Sequence, residues 1–178
     1  ASDVYKRQLV VPHPAGGEQS RYLLTVYGKL GADEHVAEFD GKEVTVSGEL
    51  IYRDDRTMVE IYPDTLQATG AEAPAPAGEP EDLGERTYVG EIVDSKCFLG
   101  VMKPGNLKPH RACATRCISG GVPPVLLVRN GAGEATYLLL TGAQGEAIGP
   151  QILDRIAEPV KITGRTLKYD DLLVLRSD

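Results

Sequence analysis

The chain of 178 residues lacks the features of membrane-spanning, nucleotide-binding and nucleic-acid-binding proteins. No apolar run approaches the roughly 20 residues that a membrane-spanning helix needs. The sequence has no phosphate-binding loop, no dinucleotide-binding glycine pattern and no nucleophile elbow. Basic stretches interleaved with aromatic residues are also lacking, and the formal net charge is −7, so a nucleic-acid surface is not expected. With 42% apolar and 25% charged residues, the composition is that of a globular protein.

Cysteine is scarce, and all three cysteines fall near one histidine. Cys97, His110, Cys113 and Cys117 follow the spacing C-x12-H-x2-C-x3-C. Pro109 suits a first helical position, and glycines and prolines after residue 119 forbid continuation, so a helix is predicted over 109–118. His110, Cys113 and Cys117 would share one face of that helix. A strand predicted over 88–94 places Cys97 just past a strand end, from which it can approach the same face.

Three interpretations of these four residues stay open. A Cys3His set suits zinc in a closed structural site, or copper(I), for which Met102 could add a thioether ligand. An iron–sulfur cluster with one histidine ligand is less suited to a compartment outside the cytoplasm. A disulfide from Cys97 to one helix cysteine would instead staple a small barrel and leave a single thiol. Thiol exchange between Cys113 and Cys117 is the third, although C-x3-C differs from the C-x2-C spacing of thioredoxin-like proteins.

Catalysis is not indicated by the sequence. His110 could activate Cys113 as a nucleophile, but both stack on one predicted helix and no Asn or Asp partner is evident. The pairs Asp54-Asp55 and Asp170-Asp171 fall between predicted strands, where Asp favours turns for backbone reasons. The sequence therefore favours a metal-binding or redox-accessory module over an enzyme.

Charge is distributed unevenly along the chain. Residues 1–87 carry 8 Lys and Arg against 17 Asp and Glu, whereas residues 88–178 carry 11 against 9. No acidic residue lies between Asp94 and Glu134. Nearby cations favour the thiolate form of cysteine, and clustered cations attract acidic proteins. We expect an exposed surface for an acidic redox or metal-delivery partner, formed by Lys96, Lys103, Lys108, Arg111 and Arg116.

The chain divides into segments of different character. Residues 3–8 match the translation of a transposon end used to prepare sequencing libraries, so residues 1–8 are treated as an adapter-derived scar of a metagenomic fragment. The natural chain is then expected to extend upstream of Leu9, where a membrane anchor could lie. Residues 71–87 are acidic and rich in Pro and Ala, which is typical of an extended linker. This linker separates residues 9–70 from residues 88–178.

An internal repeat predicts the architecture of both segments. Residues 9–25 parallel 126–140, and residues 43–55 parallel 159–171. Gly48 and Gly164 occupy matching positions, where glycine allows a strand to bend sharply. Short alternating strands with one helix predict a mainly β chain of two tandem OB-like barrels, the first truncated and the second carrying the Cys/His helix. A sandwich is the alternative, although each copy is short for one.

The second copy resembles a poorly characterised group of bacterial extracytoplasmic OB-like proteins. Their pattern runs G-E-x-V-D-x-x-C-[YF], then H-x-x-C-A-x-x-C, then G-[IV]-P and a closing strand. It corresponds here to residues 90–98, 110–117, 121–123 and 160–164, with Phe98 where tyrosine is more usual. The resemblance covers most of residues 89–176. It implies an extracytoplasmic location, periplasmic or membrane-anchored, and a shared Cys/His pattern, without implying a reaction.

Overall fold

The computed structural model describes residues 8–17, 19–73 and 79–177. Apart from Gln8, the segment interpreted as an adapter scar lies outside these residues. The strands are β1 (Gln8–Val11), β2 (Ser20–Thr25), β3 (Lys42–Thr45), β4 (Gly48–Arg53), β5 (Arg56–Ile61), β6 (Gln67–Glu72), β7 (Glu81–Asp94), β8 (Pro124–Arg129), β9 (Ala135–Thr141), β10 (Pro159–Tyr169) and β11 (Leu172–Arg176). The α-helices are α1 (Asp33–Val36) and α2 (Arg111–Ser119). The prediction of a mainly β chain is confirmed.

Shorter helical turns connect several of these elements. Turns of 3-10 helix occupy Ala37–Phe39, Pro63–Thr65, Lys108–His110 and Gly149–Arg155, and a π-helical turn occupies Cys97–Val101. In the described part of the chain, no helix combines the length and the apolar character that crossing a membrane requires.

The second half of the chain closes into a five-stranded barrel. Its strands follow the order β10-β11-β9-β8-β7, and β7 pairs with β10 to complete the ring. β9 and β11 run parallel, and the other neighbours are antiparallel. Ile92, Leu126, Leu138 and Leu175 have no exposed surface and lie in one apolar cluster with residues of the 149–155 turn. Their burial stabilises the barrel, because burying a side chain of this size contributes about 1.5–3 kcal/mol.

The first half forms a four-stranded sheet that packs on the outside of this barrel. Its strands follow the order β1-β2-β5-β4, with β3 and β6 as a separate two-stranded ribbon. Leu23 and Met58 from this sheet share an apolar cluster with Val125, Leu139 and Val174 from the barrel. Strands β8 and β9 are therefore covered on both faces, which is why they are apolar at successive positions rather than alternating.

Two predicted turns are confirmed, and one of them joins the two halves. Asp54-Asp55 connects β4 to β5, and Asp170-Asp171 connects β10 to β11. Asp54 and Asp170 take left-handed conformations with φ of 54° and 50°, which Asp tolerates better than most residues. The Asp170 carboxylate also accepts a hydrogen bond from Arg21 Nε on β2 at 2.6 Å.

Regular structure extends into the segment predicted to be a linker. β6 ends at Glu72 and β7 begins at Glu81, so strands enter residues 71–87 from both sides, and residues 74–78 lie outside the described part. The acidic residues at the start of β7 are paired with basic residues of β10. Glu81 lies opposite Lys168, and Asp82 forms an ion pair with Arg165. Acidic composition here reflects cross-strand pairing as well as solvation.

Candidate metal centre

Cys97 is positioned by the end of strand β7. The strand stops at Asp94, the chain turns through Ser95 and Lys96, and Cys97 opens the π-helical turn. Asp94 Oδ1 accepts a hydrogen bond from the Cys97 backbone N–H at 2.8 Å, which fixes the turn. This local contact is typical of Asp before a helical turn. The prediction that Cys97 follows a strand end is confirmed.

The other three residues come from α2 and the turn that precedes it. The predicted helix is present, with His110 in the 3-10 turn before α2 and with Cys113 and Cys117 one turn apart on it. The helix ends at Ser119, and Gly121 takes the left-handed conformation after it, with φ of 93°. Cys117 and His110 are buried, whereas Cys113 is partly exposed.

The four residues converge at one edge of the barrel. Cys97 Sγ lies 3.8 Å from Cys113 Sγ and 3.9 Å from Cys117 Sγ. The potential ligand atoms of Cys97, His110 and Cys113 all lie within 4.8 Å of one another. The disulfide interpretation is wrong, because a disulfide requires about 2.05 Å between sulfurs and all three cysteines are free thiols. Cys97, His110, Cys113 and Cys117 are positioned to bind a metal ion.

Asp94 is a member of this site that the sequence reasoning missed. Its Oδ2 lies 2.9 Å from His110 Nε2, and both side chains are buried. The contact leaves Nδ1 as the imidazole nitrogen available to a metal. Asp94 also belongs to a second group of potential ligands with Cys97 and Cys117. Because both of its oxygens already accept or share hydrogen bonds, the geometry favours Asp94 as a residue that orients His110.

The same contact corrects the statement that His110 lacks an acidic partner. An Asp–His pair beside cysteine also occurs in thiol-dependent hydrolases. Here Cys97 and His110 each expose only 3% of their surface, whereas Cys113 is partly exposed. The convergence of three sulfurs and one imidazole is suited to holding an ion.

The contact between Cys97 and Cys117 shifts the pKa values of the two thiols in opposite directions. The hydrogen bond with Cys117, burial and the Asp94 charge together raise the pKa of Cys97. The hydrogen bond from Cys97 lowers the pKa of Cys117 despite its burial, and the nearby Lys29 charge also lowers it. Cys97 therefore holds its proton more tightly than Cys117 does. A cation that binds here displaces a proton from Cys97.

Lys29 is the second residue that the sequence reasoning missed. It belongs to the loop after β2, and its Nζ lies 2.7 Å from Cys113 Sγ and 3.9 Å from Cys117 Sγ. The hydrogen bond to Cys113 raises the pKa of Lys29, so it remains an ammonium group. No local sequence signal marks Lys29, because it lies 84 residues from Cys113 and meets it only through the packing of the two halves.

The predicted basic surface is only partly exposed. Lys96 does not belong to it, because its ammonium is buried against Glu60 Oε2 at 2.5 Å. Arg111 is half-buried and pairs with Glu158 Oε1 at 2.9 Å. Lys103, Lys108 and Arg116 are exposed and remain candidates for contact with a partner.

Two residues close to Cys97 in the sequence differ in their exposure. Phe98 is buried, and its ring packs 5.5 Å from the Tyr137 ring and beneath the Arg53 guanidinium at 4.4 Å. Met102 is 42% exposed, and its backbone N–H donates to the Cys97 carbonyl at 3.2 Å. Its role as a thioether ligand stays a prediction.

Comparison with protein-family models, with curated proteins and with solved structures found no match to this chain.

Proposed function

We propose that this chain is a metal-binding module that holds one ion with three cysteine thiolates and one imidazole. The sulfur separations carry this proposal. A tetrahedral ion with metal–sulfur bonds of about 2.3 Å has sulfurs about 3.8 Å apart. Cys97 already lies 3.8 and 3.9 Å from the other two sulfurs. An ion can therefore enter the cluster with little rearrangement of the thiols.

We propose zinc as the ion that fits this site best. The donor set is closed by four side chains, and Cys97, Cys117 and His110 are buried, as in structural zinc sites. Asp94 beside His110 supplies the carboxylate–histidine contact that commonly orients zinc ligands. Copper(I) is the second candidate, because thiolates suit it equally well.

The proposed ion has a protective role as well as a structural one. We propose an extracytoplasmic location, where unpaired thiols are readily oxidised. An ion bound to all three sulfurs would keep them reduced and keep α2 against the end of β7. Thiol exchange between Cys113 and Cys117 remains the alternative, since Cys113 is partly exposed.

We also propose that the barrel is OB-like and that the first sheet is a partial second copy. The order β1-β2-β5-β4 matches β8-β9-β11-β10, with parallel pairing at β2–β5 and β9–β11. Leu24 lies opposite Val59 in the first sheet, and Leu139 lies opposite Val174 in the barrel. The offset along the chain from Leu24 to Leu139 equals the offset from Val59 to Val174, as expected of two copies of one unit. Gly48 and Gly164 each meet a carbonyl of the adjacent strand so closely that a Cβ could not fit.

The exposed cations suggest how such a module meets a partner. We propose that Lys103, Lys108 and Arg116 attract an acidic surface on a protein that delivers metal or exchanges electrons. Attraction of this kind raises the association rate and weakens as salt is added.

The decisive experiment is metal analysis of protein purified without reducing agent, together with a count of reactive thiols. We expect one equivalent of metal per chain and three thiols that react only after a chelator is added. Replacing the ion with Co²⁺ should give thiolate-to-metal absorption bands typical of tetrahedral coordination. A metal-free protein in which thiols react freely in the native state, or which forms a disulfide, would contradict the proposal.

A further inference from the structure

We infer that Lys29 is an outer-sphere part of the metal centre, and that metal binding therefore fastens the first sheet to the barrel. This inference rests on the proposed metal site. Lys29 comes from the first half of the chain and binds the sulfur of a ligand rather than the ion itself. Lys29 Nζ lies within hydrogen-bond distance of the sulfur of Cys113, which is the least buried of the three cysteines.

The Lys29 loop, residues 26–31, is held in place by contacts on both sides. Lys96 Nζ donates to the carbonyls of Val26 at 2.7 Å and Gly28 at 2.8 Å. Gly31 N–H donates to the Gly120 carbonyl, immediately after α2, at 2.8 Å. The Lys29 ammonium is thus delivered to Cys113 by a backbone fixed to the barrel, and its position does not depend on the side chain alone.

Close approach between this loop and α2 requires a small residue. A Cβ built on Gly120 would overlap the Lys29 carbonyl, so no side chain can occupy that position without moving the loop. Gly120 therefore has a second role besides following the end of α2. It allows the Lys29 loop to lie directly over the helix that carries two of the ligands.

The charge of the loaded centre explains the use of a lysine. Three thiolates and a neutral imidazole around a divalent ion leave a net charge of −1. An ammonium group that donates to one sulfur compensates this charge and covers the least buried of the three cysteines. Lys29 thereby favours a divalent ion bound by three thiolates and shields Cys113 from electrophiles.

The test compares Lys29→Met with Lys29→Arg and with Lys161→Met, which removes an exposed charge on β10. Zinc affinity is measured by competition with a chromogenic chelator, and alkylation of Cys113 is followed by mass spectrometry on zinc-loaded protein. Loss of outer-sphere partners typically weakens metal binding about 10- to 100-fold, and Lys29 is exposed, so we expect about tenfold weaker binding for Lys29→Met. We also expect faster alkylation of Cys113 in that variant, with most of both effects reversed in Lys29→Arg and absent in Lys161→Met.

Hydrogen exchange of residues 26–31 provides the second readout. Zinc should slow exchange of these amides in the wild type and should not do so in Lys29→Met. The inference is overturned if Lys29→Met binds zinc with wild-type affinity, or if zinc protects the loop equally in both proteins. Failure of the wild type to bind zinc or another metal would instead overturn the proposed function, before any variant is compared. Thermal unfolding of the metal-free proteins is measured first, to check that each variant is folded.

Discussion

Replacing Lys96 by Met tests how the two halves of the chain are held together. Lys96 follows β7, and its ammonium lies 2.5 Å from Glu60 Oε2 on β5 of the first sheet. The Lys96 side chain is 4% exposed and that of Glu60 is 14% exposed. The same ammonium donates to two carbonyls of the Lys29 loop. Methionine retains much of the aliphatic chain and removes all three interactions.

The expected loss of stability arises from the Glu60 carboxylate, which is left without its cationic partner when Lys96 is replaced. Removing one partner of a buried ion pair typically costs about 3–5 kcal/mol, because the other charge is left without compensation. Glu60 retains some access to water, so we expect the lower end, a loss of about 3 kcal/mol in the free energy of unfolding. At about 2–4 °C per kcal/mol for a chain of this size, the melting temperature should fall by roughly 6–12 °C.

The assay is equilibrium unfolding in urea, with Lys161→Met as the exposed control. That control should change stability by less than about 0.5 kcal/mol. Adding Glu60→Gln to Lys96→Met should restore part of the loss, because the uncompensated carboxylate is removed. A loss below about 1 kcal/mol for Lys96→Met would show that this pair contributes no more than a typical surface ion pair and would refute the reasoning.

Three further predictions concern the centre, the barrel and the exposed cations. Asp94→Asn removes the charge that orients His110, and we expect it to weaken zinc binding by about 10- to 100-fold, measured by competition with a chelator. Zinc binding with wild-type affinity would contradict this prediction. Gly164→Ala places a Cβ against the Arg176 carbonyl, and we expect a loss of about 1–3 kcal/mol in urea unfolding, whereas Gly131→Ala, in open space, should change little. Replacing the exposed cations Lys103, Lys108 and Arg116 together by serine should slow association with acidic proteins and make the association rate depend less on salt, while the melting temperature stays the same. An unchanged association rate would argue against a docking role.

Local patterns allowed the ligands to be predicted, because their positions depend mainly on nearby sequence. The helix over α2 followed from Pro109 and the glycines after Ser119, and Cys97 followed from the end of an alternating strand. The turns at Asp54 and Asp170 were equally local. In each case, backbone preference and final structure agree, so the element could be identified before its neighbours were known.

Long-range packing explains what the sequence did not reveal. Lys96 was interpreted as exposed because lysine usually is, but the first sheet covers it and supplies Glu60. Lys29 reaches Cys113 only because that sheet packs against the barrel. Asp94 was within reach of sequence reasoning, since an Asp three residues before a cysteine at a strand end commonly accepts a backbone N–H.

The compactness of the centre along the chain has a consequence for the order of folding. Asp94, Cys97, His110, Cys113 and Cys117 all lie within 24 consecutive residues, whereas the barrel closes only when β7 meets β10. Closing a short loop costs less entropy than closing a long one, so the ligands can gather before the barrel does. An ion captured at that stage would hold α2 against the end of β7 while β8 to β11 are still unpaired. The centre would then act as a nucleus on which the barrel is completed.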